Sequence, residues 1–215
     1  VLAQAVAVRA GHAPWANPVM LSVAVLAGVL LATGTAYPTY FAGAQFIHFL
    51  LGPAVVALGW PLWQRRAALR ARWGRLVLAS LAGGTAAAAS AVGLGWALGL
   101  PGDVLMSLAP KSVTAPVAMG VAAQIGGVPA LAAVFAALTG MVGALSARWL
   151  FGLMRLPTDA EGMALRGFAL GTASHGIGAA HAMQVNADAG AYAGLALGLQ
   201  VVLAAVLMPL VFRLF

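Results

Sequence analysis

Cysteine is absent from this 215-residue chain, and acidic residues nearly so, Asp and Glu together numbering four. Without a thiol there is no disulfide framework, no thiolate metal site and no cysteine nucleophile. The four acids and four histidines are scattered, with no cluster at metal-ligand spacing, so no metal or other cofactor is expected. Charge of either sign is scarce: 7% of residues, against about 25% in an ordinary soluble domain. So few charges cannot coat a soluble fold of this length. These shortages exclude a soluble globular enzyme, a disordered chain and a conventional nucleic-acid binder. The class that remains is an all-α polytopic integral membrane protein.

What the chain has is apolar length broken by glycine and proline. Hydrophobic residues make up 63%, with 27 Gly and 11 Pro, and the mean hydropathy is +0.99. Apolar runs lie near 18–34, 43–64, 75–100, 103–127, 129–151, 164–185 and 190–213. With about 20 residues needed per crossing, they predict a bundle of about seven to eight hydrophobic segments. No linker separates them, so residues 1–215 are expected to form a single transmembrane domain. Val1 is not an initiator, and further residues are expected before it.

Basic residues cluster. Arg65, Arg66, Arg70, Arg72 and Arg75 crowd one segment, and Arg148, Arg155 and Arg166 surround another. Lys and Arg mark cytoplasmic loops. Segments 65–75 and 152–161 are therefore predicted inside, with Arg9 and Arg213, and 34–43 and 186–190 outside. Trp60, Trp63 and Trp73 flank the first cluster as an interfacial belt. Two loops on one side need an even number of crossings between them, yet three apolar runs intervene. The run that does not cross simply is 103–127. It contains Pro110-Lys111-Ser112-Val113-Thr114-Ala115-Pro116, and two prolines and a lysine in seven residues cannot form a regular lipid-facing helix. A broken or re-entrant segment lining a cavity is expected. A second irregular run, Gly171-Thr172-Ala173-Ser174-His175-Gly176-Ile177-Gly178, carries three glycines, each costing a helix about 1 kcal/mol relative to Ala. The expected fold thus has two discontinuous helices, which inverted repeats would relate.

Each irregular segment pairs two hydroxyls at i, i+2 with one basic side chain: Ser112 and Thr114 with Lys111, Thr172 and Ser174 with His175. Transporters build midplane sites from such broken helices, whose freed N–H groups and positive dipole ends face anions. A lysine beside them suits a small carboxylate. Lys111, Ser112, Thr114, Thr172, Ser174 and His175 are the candidate binding residues. His175 is also the candidate proton carrier, since imidazole titrates near neutral pH. Asn17, which precedes Pro18 as a helix cap would, is a further candidate. The bland alternatives are a snorkelling Lys111 and a His175 that only packs. Gly190-x-x-x-Gly194-x-x-x-Gly198 reads as a helix-packing face, and His12 and His48 as structural. Ser174 beside His175 does not make a protease: neighbours on a helix point about 100° apart, and no buried acid completes a triad.

At these residues the sequence resembles the LrgB/CidB family. The resemblance lies in Pro110 to Met119 followed by Ile125-Gly126-Gly127-Val128-Pro129, and in Gly171 to Gly178. Weaker agreement occurs at Asn17-Pro18, Tyr37 to Gly43, Leu51-Gly52-Pro53-Ala54 with Pro61-Leu62, and Gly190-Ala191-Tyr192. The resemblance implies a multi-pass protein of the bacterial inner (cytoplasmic) membrane, a single LrgB-like domain, working with a small LrgA-like, holin-like membrane partner. It implies movement of small monocarboxylates such as pyruvate, glycolate, glycerate or lactate. The alternative is antiholin-like regulation of murein hydrolase activity and cell lysis, which would favour a homo-oligomer packed through glycine faces. A third reading is a structural partner that stabilises an LrgA-like protein. The chain departs from the family where relatives carry Gly-Thr-Ala-Arg and a following Glu. Here Gly178-Ala179-Ala180-His181 and Gln184 stand instead, which makes His181 and Gln184 candidate specificity residues.

Overall fold

The computed structural model describes residues 2–10, 16, 18–57, 60, 63 and 66–212. Asn17, His12, Arg65 and Arg213 lie outside the described residues, as does the side chain of His48. Among those described the chain is all-helical and divides into two compact units, Val1–Trp60 and Pro61–Phe215.

The first unit holds α1 (Leu2–Arg9), α2 (Pro18–Thr33) and α3 (Tyr37–Ala57), with α1 packed on α2. Helix α2 begins at a proline, which has no N–H to lose in a first turn. It ends where the Thr33 hydroxyl donates back to Val29 O and Gly34 turns left-handed at φ 61°.

The second unit holds α4 (Arg66–Ala97), α5 (Gly102–Leu108), α6 (Ala115–Ile125), α7 (Pro129–Leu153), α8 (Ala160–Val185) and α9 (Ala187–Phe212). The arginine segment, expected as a loop, is helical from Arg66 onward and continuous with the span that follows. Ala, Arg and Leu are strong helix formers, and no proline interrupts them. Arg66 lies over the ring of Trp63, 4.6 Å from its centroid, and Trp60, Trp63 and Trp73 are all exposed.

Three helices among the described residues are long and apolar enough to cross a membrane, within Arg70–Ala97, Pro129–Leu153 and Ala187–Phe212. This corrects the expected seven to eight. The run 103–127 is cut into α5 and α6 by the non-helical stretch 109–114. The run 164–185 is diluted by Gly, Ser, Thr and His. Helix α2, at 16 residues, falls short of the length a crossing needs.

Inter-helix contacts give the directions of the second unit. The α7–α8 register is antiparallel: Gly143 faces Ser174, Ala147 packs near Leu170, and Arg166 lies over Phe151. Beyond Ser174 the chain turns back. His175 has φ 41° and ψ −133°, and a Cβ at Gly178 would lie 2.7 Å from Leu170 O. In a straight helix eight residues would separate them by about 12 Å. Helix α9 then starts near the depth of Gly167 and runs alongside the first half of α8, Gly167 against the Ala189 backbone and Gly171 against that of Ala193. It is parallel to α4: Gln200 donates to Ser80 O and lies against Gly84 at one end of a shared groove, which continues to Gly93 on α4 and to Phe212 on α9. The run 102–127 also reverses: Val128 N donates to Ser107 Oγ at 2.8 Å, and a Cβ on Gly127 would touch the backbone of Met106 and Ser107.

Two consequences follow. The Arg66–Arg75 end of α4 and the 154–159 connection lie on the same side of the unit. Residues 186–190, expected as a loop on the opposite side, lie on this side of His175, with 187–190 already helical, because α8 folds back before reaching the far surface. The expected Gly190/Gly194/Gly198 packing face is also revised. Gly190 meets Met183, while nothing stands within 4 Å of a Cβ on Gly194. The closest backbone approach is made from α8, by Gly167 and Gly171.

The chain lacks native cysteine, so single cysteines report sidedness directly. In whole cells, Arg70→Cys and Thr158→Cys should resist an impermeant thiol reagent, while Leu98→Cys should react. Labelling of position 70 from outside would overturn this arrangement. Separately, Gly171→Leu should lower stability by about 1–3 kcal/mol through overpacking, read as a lower unfolding temperature in detergent.

Candidate functional site

Residues 109–114 join α5 to α6 at the inner end of their reversal. Ala109 and Pro110 are buried, and two short turns shape the segment, Lys111 N to Leu108 O and Val113 N to Pro110 O, each 3.1 Å. Thr114 is extended (ψ 143°) and its carbonyl accepts from Val117 and Ala118, which starts α6, with Pro116 in the first turn where its missing N–H costs nothing. Gly126 closes that helix at φ 85°, a conformation disfavoured for residues with a Cβ.

A pocket of about 380 Å³ is lined by Lys111 and Ser112 from this segment, Ala173 and Ser174 from α8, Ala87 from α4, and Leu138, Thr139, Val142 and Gly143 from α7. The structure thus brings together three of the expected site residues, Lys111, Ser112 and Ser174. Ser112 Oγ is buried and has no hydrogen-bond partner among the described residues, a condition that costs about 1–3 kcal/mol unless something satisfies it. Lys111 is partly exposed, and no described carboxylate pairs with it. The reason is visible along the chain. Asp103, Glu161 and Asp188 occupy first turns of helices, and Asp159 caps α8 by accepting from Gly162 N at 2.8 Å. All four acids sit at helix starts, where the dipole favours them.

The other candidates fall elsewhere. Thr114, half-buried, does not line the pocket. Thr172 is buried with its methyl toward Gly83 of α4, and Oγ1 has no partner among the described residues. His175 is 4% exposed and does not line the pocket. Its Nε2 lies 2.7 Å from Ala136 O on α7. His181 is half-buried and Gln184 exposed on the returning half of α8, outside the lining. Asn17 lies outside the described residues.

Sequence reasoning missed the α7 contribution. Thr139 supplies a further hydroxyl, and Gly140 and Gly143 admit the α8 reversal. A Cβ on Gly143 would overlap Ser174 Oγ. Both glycines are ordinary-looking positions in an apolar run, and only contact with α8 gives them meaning. A larger cavity, about 500 Å³, lies between α4 and α9. Its walls are apolar apart from Ser80, Thr85 and Gln200, and Gln200 Nε2 donates to Ser80 O at 2.6 Å. It holds no ionisable group, so the smaller pocket is the one with chemistry for an anion.

The chain belongs to the LrgB-like family, whose model matches residues 1–214. It is a multi-pass protein of the bacterial inner membrane, and its family places it among transport and regulatory proteins, not enzymes. It is 31% identical over 202 residues to Bacillus subtilis (strain 168) YxaC, covering 94% of this chain and 86% of that one. It is 30% identical over 203 residues to the holin-like protein CidB of Staphylococcus aureus (strain Mu50), with the same coverages. A Haemophilus influenzae protein is 31% identical over 200 residues, 92% of this chain and 84% of its own. No solved structure matches.

Gly143→Ala tests the pocket wall. The added methyl meets Ser174 Oγ, so stability should fall by about 1–3 kcal/mol. Ala87→Gly, which removes a wall methyl without a clash, should cost only about 1 kcal/mol, the intrinsic helix penalty. Thermal unfolding of the two purified variants measures both.

Proposed function

We propose that this protein is the LrgB-type component of a holin-like membrane system, and that its activity there is to bind and pass small monocarboxylates such as pyruvate, glycolate, glycerate or lactate. The first part is supported by the relatives: the matching S. aureus proteins are named holin-like protein CidB. By that likeness a small LrgA-like, holin-like membrane protein is the expected partner, and antiholin-like regulation of murein hydrolase activity the expected cellular role. The comparisons support this regulatory reading more directly than they support transport.

One observation carries the transport part: a lysine without an acid, buried hydroxyls and two chain reversals share one pocket. We read 102–127 and 160–185 as discontinuous membrane segments entering from opposite sides, with 1–215 acting as one transmembrane domain. Irregular backbone at membrane depth is tolerated where it is buried in protein or lines a cavity. An ammonium in such a place is costly unless paired, and a substrate carboxylate is the pairing group this chain lacks. Ser112 and Ser174, with Thr139, line the same pocket and would donate to it or to a neighbouring oxygen of a 2-hydroxy or 2-oxo acid. Thr114 and Thr172 support the two reversals from outside the pocket. His181 and Gln184 would then affect packing of the returning α8 segment more than substrate choice.

Lys111→Met should abolish ligand-induced stabilisation by these acids, weakening binding by at least about tenfold, as expected for a lost charge-assisted contact, while the protein inserts and purifies normally. Lys111→Arg should rescue poorly, because a planar fork does not replace a point charge. The measurement is thermal stabilisation of the purified variants, followed by uptake of the labelled acids into vesicles with and without an LrgA-type partner. Saturable, Lys111-dependent flux supports transport. Lysis control that survives Lys111→Met, with no saturable flux from the parent, leaves the regulatory reading alone standing.

A further inference from the structure

We propose that His175 is a positioning residue: it fastens the reversal of α8 to α7 and so holds Ser174 in the pocket, and it carries no proton during transport. The inference deepens the reading of the Lys111 pocket as a substrate site and rests on it for its functional arm.

The backbone gives the first argument. A residue with a Cβ at φ 41° and ψ −133° is strained, and such a conformation persists only where the surroundings fix it. A glycine would remove that strain, and Gly176 stands next in the chain. Histidine is therefore held here for its ring.

The ring has one polar contact on α7. Its Nε2 lies 2.7 Å from Ala136 O, and a carbonyl only accepts, so Nε2 bears the hydrogen and donates. That bond exists whether or not Nδ1 is protonated. The α7 surface is shaped for it. Ala136, Gly140 and Gly143 share one face at i, i+4 and i+7. Ala136 accepts the hydrogen bond, a Cβ on Gly140 would lie 2.8 Å from the imidazole Cε1, and Gly143 leaves room for Ser174 Oγ. One stripe of α7 thus sets the register of Ser174 and His175 together. A proton carrier must reach the pocket, but His175 is 4% exposed and outside its lining. Lys111 is the one ionisable side chain in that lining.

The test uses the full chain in lipid nanodiscs and proteoliposomes. His175→Gln keeps a donor but cannot titrate, and His175→Ala keeps neither. Hydrogen exchange of residues 171–182 should rise about tenfold in His175→Ala, as one lost buried hydrogen bond allows, and stay near the parent's in His175→Gln. For pyruvate uptake, His175→Ala should raise KM by about tenfold. His175→Gln should transport with the parent's dependence on pH. Gly140→Ala, which displaces the ring without removing it, should reproduce the His175→Ala exchange signal and keeps the test open if His175→Ala fails to fold. Unchanged exchange in both His175→Ala and Gly140→Ala overturns the pin. A His175→Gln protein with parental exchange and a flattened pH profile makes His175 the proton carrier instead. If the parent itself takes up no acid, the pocket reading fails, and the exchange measurements still decide whether His175 pins the reversal.

Discussion

A bilayer offers no water to backbone N–H and C=O groups, and the second unit is organised around that constraint. Each unsatisfied group costs several kcal/mol in hydrocarbon, so a chain that stops being helical there must do so inside protein. Residues 109–114 and the reversal at His175 pack among α4, α7 and α9, the three described helices long and apolar enough to span, which is where the proposed broken segments would have to lie. Proline and glycine break the helices, and small residues on the neighbours let the broken ends in. Gly83 admits Thr172, Gly84 admits Gln200, and Gly143 admits Ser174. Helix association in a membrane gains little from hydrophobicity and depends on such close packing.

The same economy governs charge. Eleven basic and four acidic residues cannot form a network of pairs. The arginines gather at one end of α4 and around the α7–α8 connection, where sidedness uses them, and the acids are taken up by helix starts. Among the described Lys and Arg side chains, Lys111 is the one that lines the small pocket of the second unit. It lies at a chain reversal and shares one pocket with an α7 threonine and an α8 serine, which makes it the centre of the proposed anion site.

Much of this was legible in residue types. The shortage of charge gave the membrane class, because burying or exposing charge has a fixed sign in lipid and in water. Pro110 and Pro116 around Lys111 marked a break, because each proline removes a helical hydrogen bond and two of them with a lysine in seven residues cannot form a regular lipid-facing helix. The hydroxyl pairs marked both segments as polar places in apolar runs. The number of spanning helices was not legible, since an apolar run of 20 residues reads alike whether it crosses or returns. Nor was the side on which 186–190 lies, which depends on α8 folding back at one residue.

The sequence by itself determined that the chain is a helical membrane protein, that its 103–127 run breaks around Pro110 to Pro116, and that Lys111 has no acid near it in the chain, because these follow from composition and local stereochemistry. Only the tertiary structure decided which polar groups share a cavity. Ser112 and Ser174 meet there although 62 positions apart, Thr139 joins them from α7, and His175 is turned to Ala136. Those outcomes depend on backbone approach between distant segments, set by the missing side chains of Gly140 and Gly143, and no local pattern encodes which helix a glycine will face.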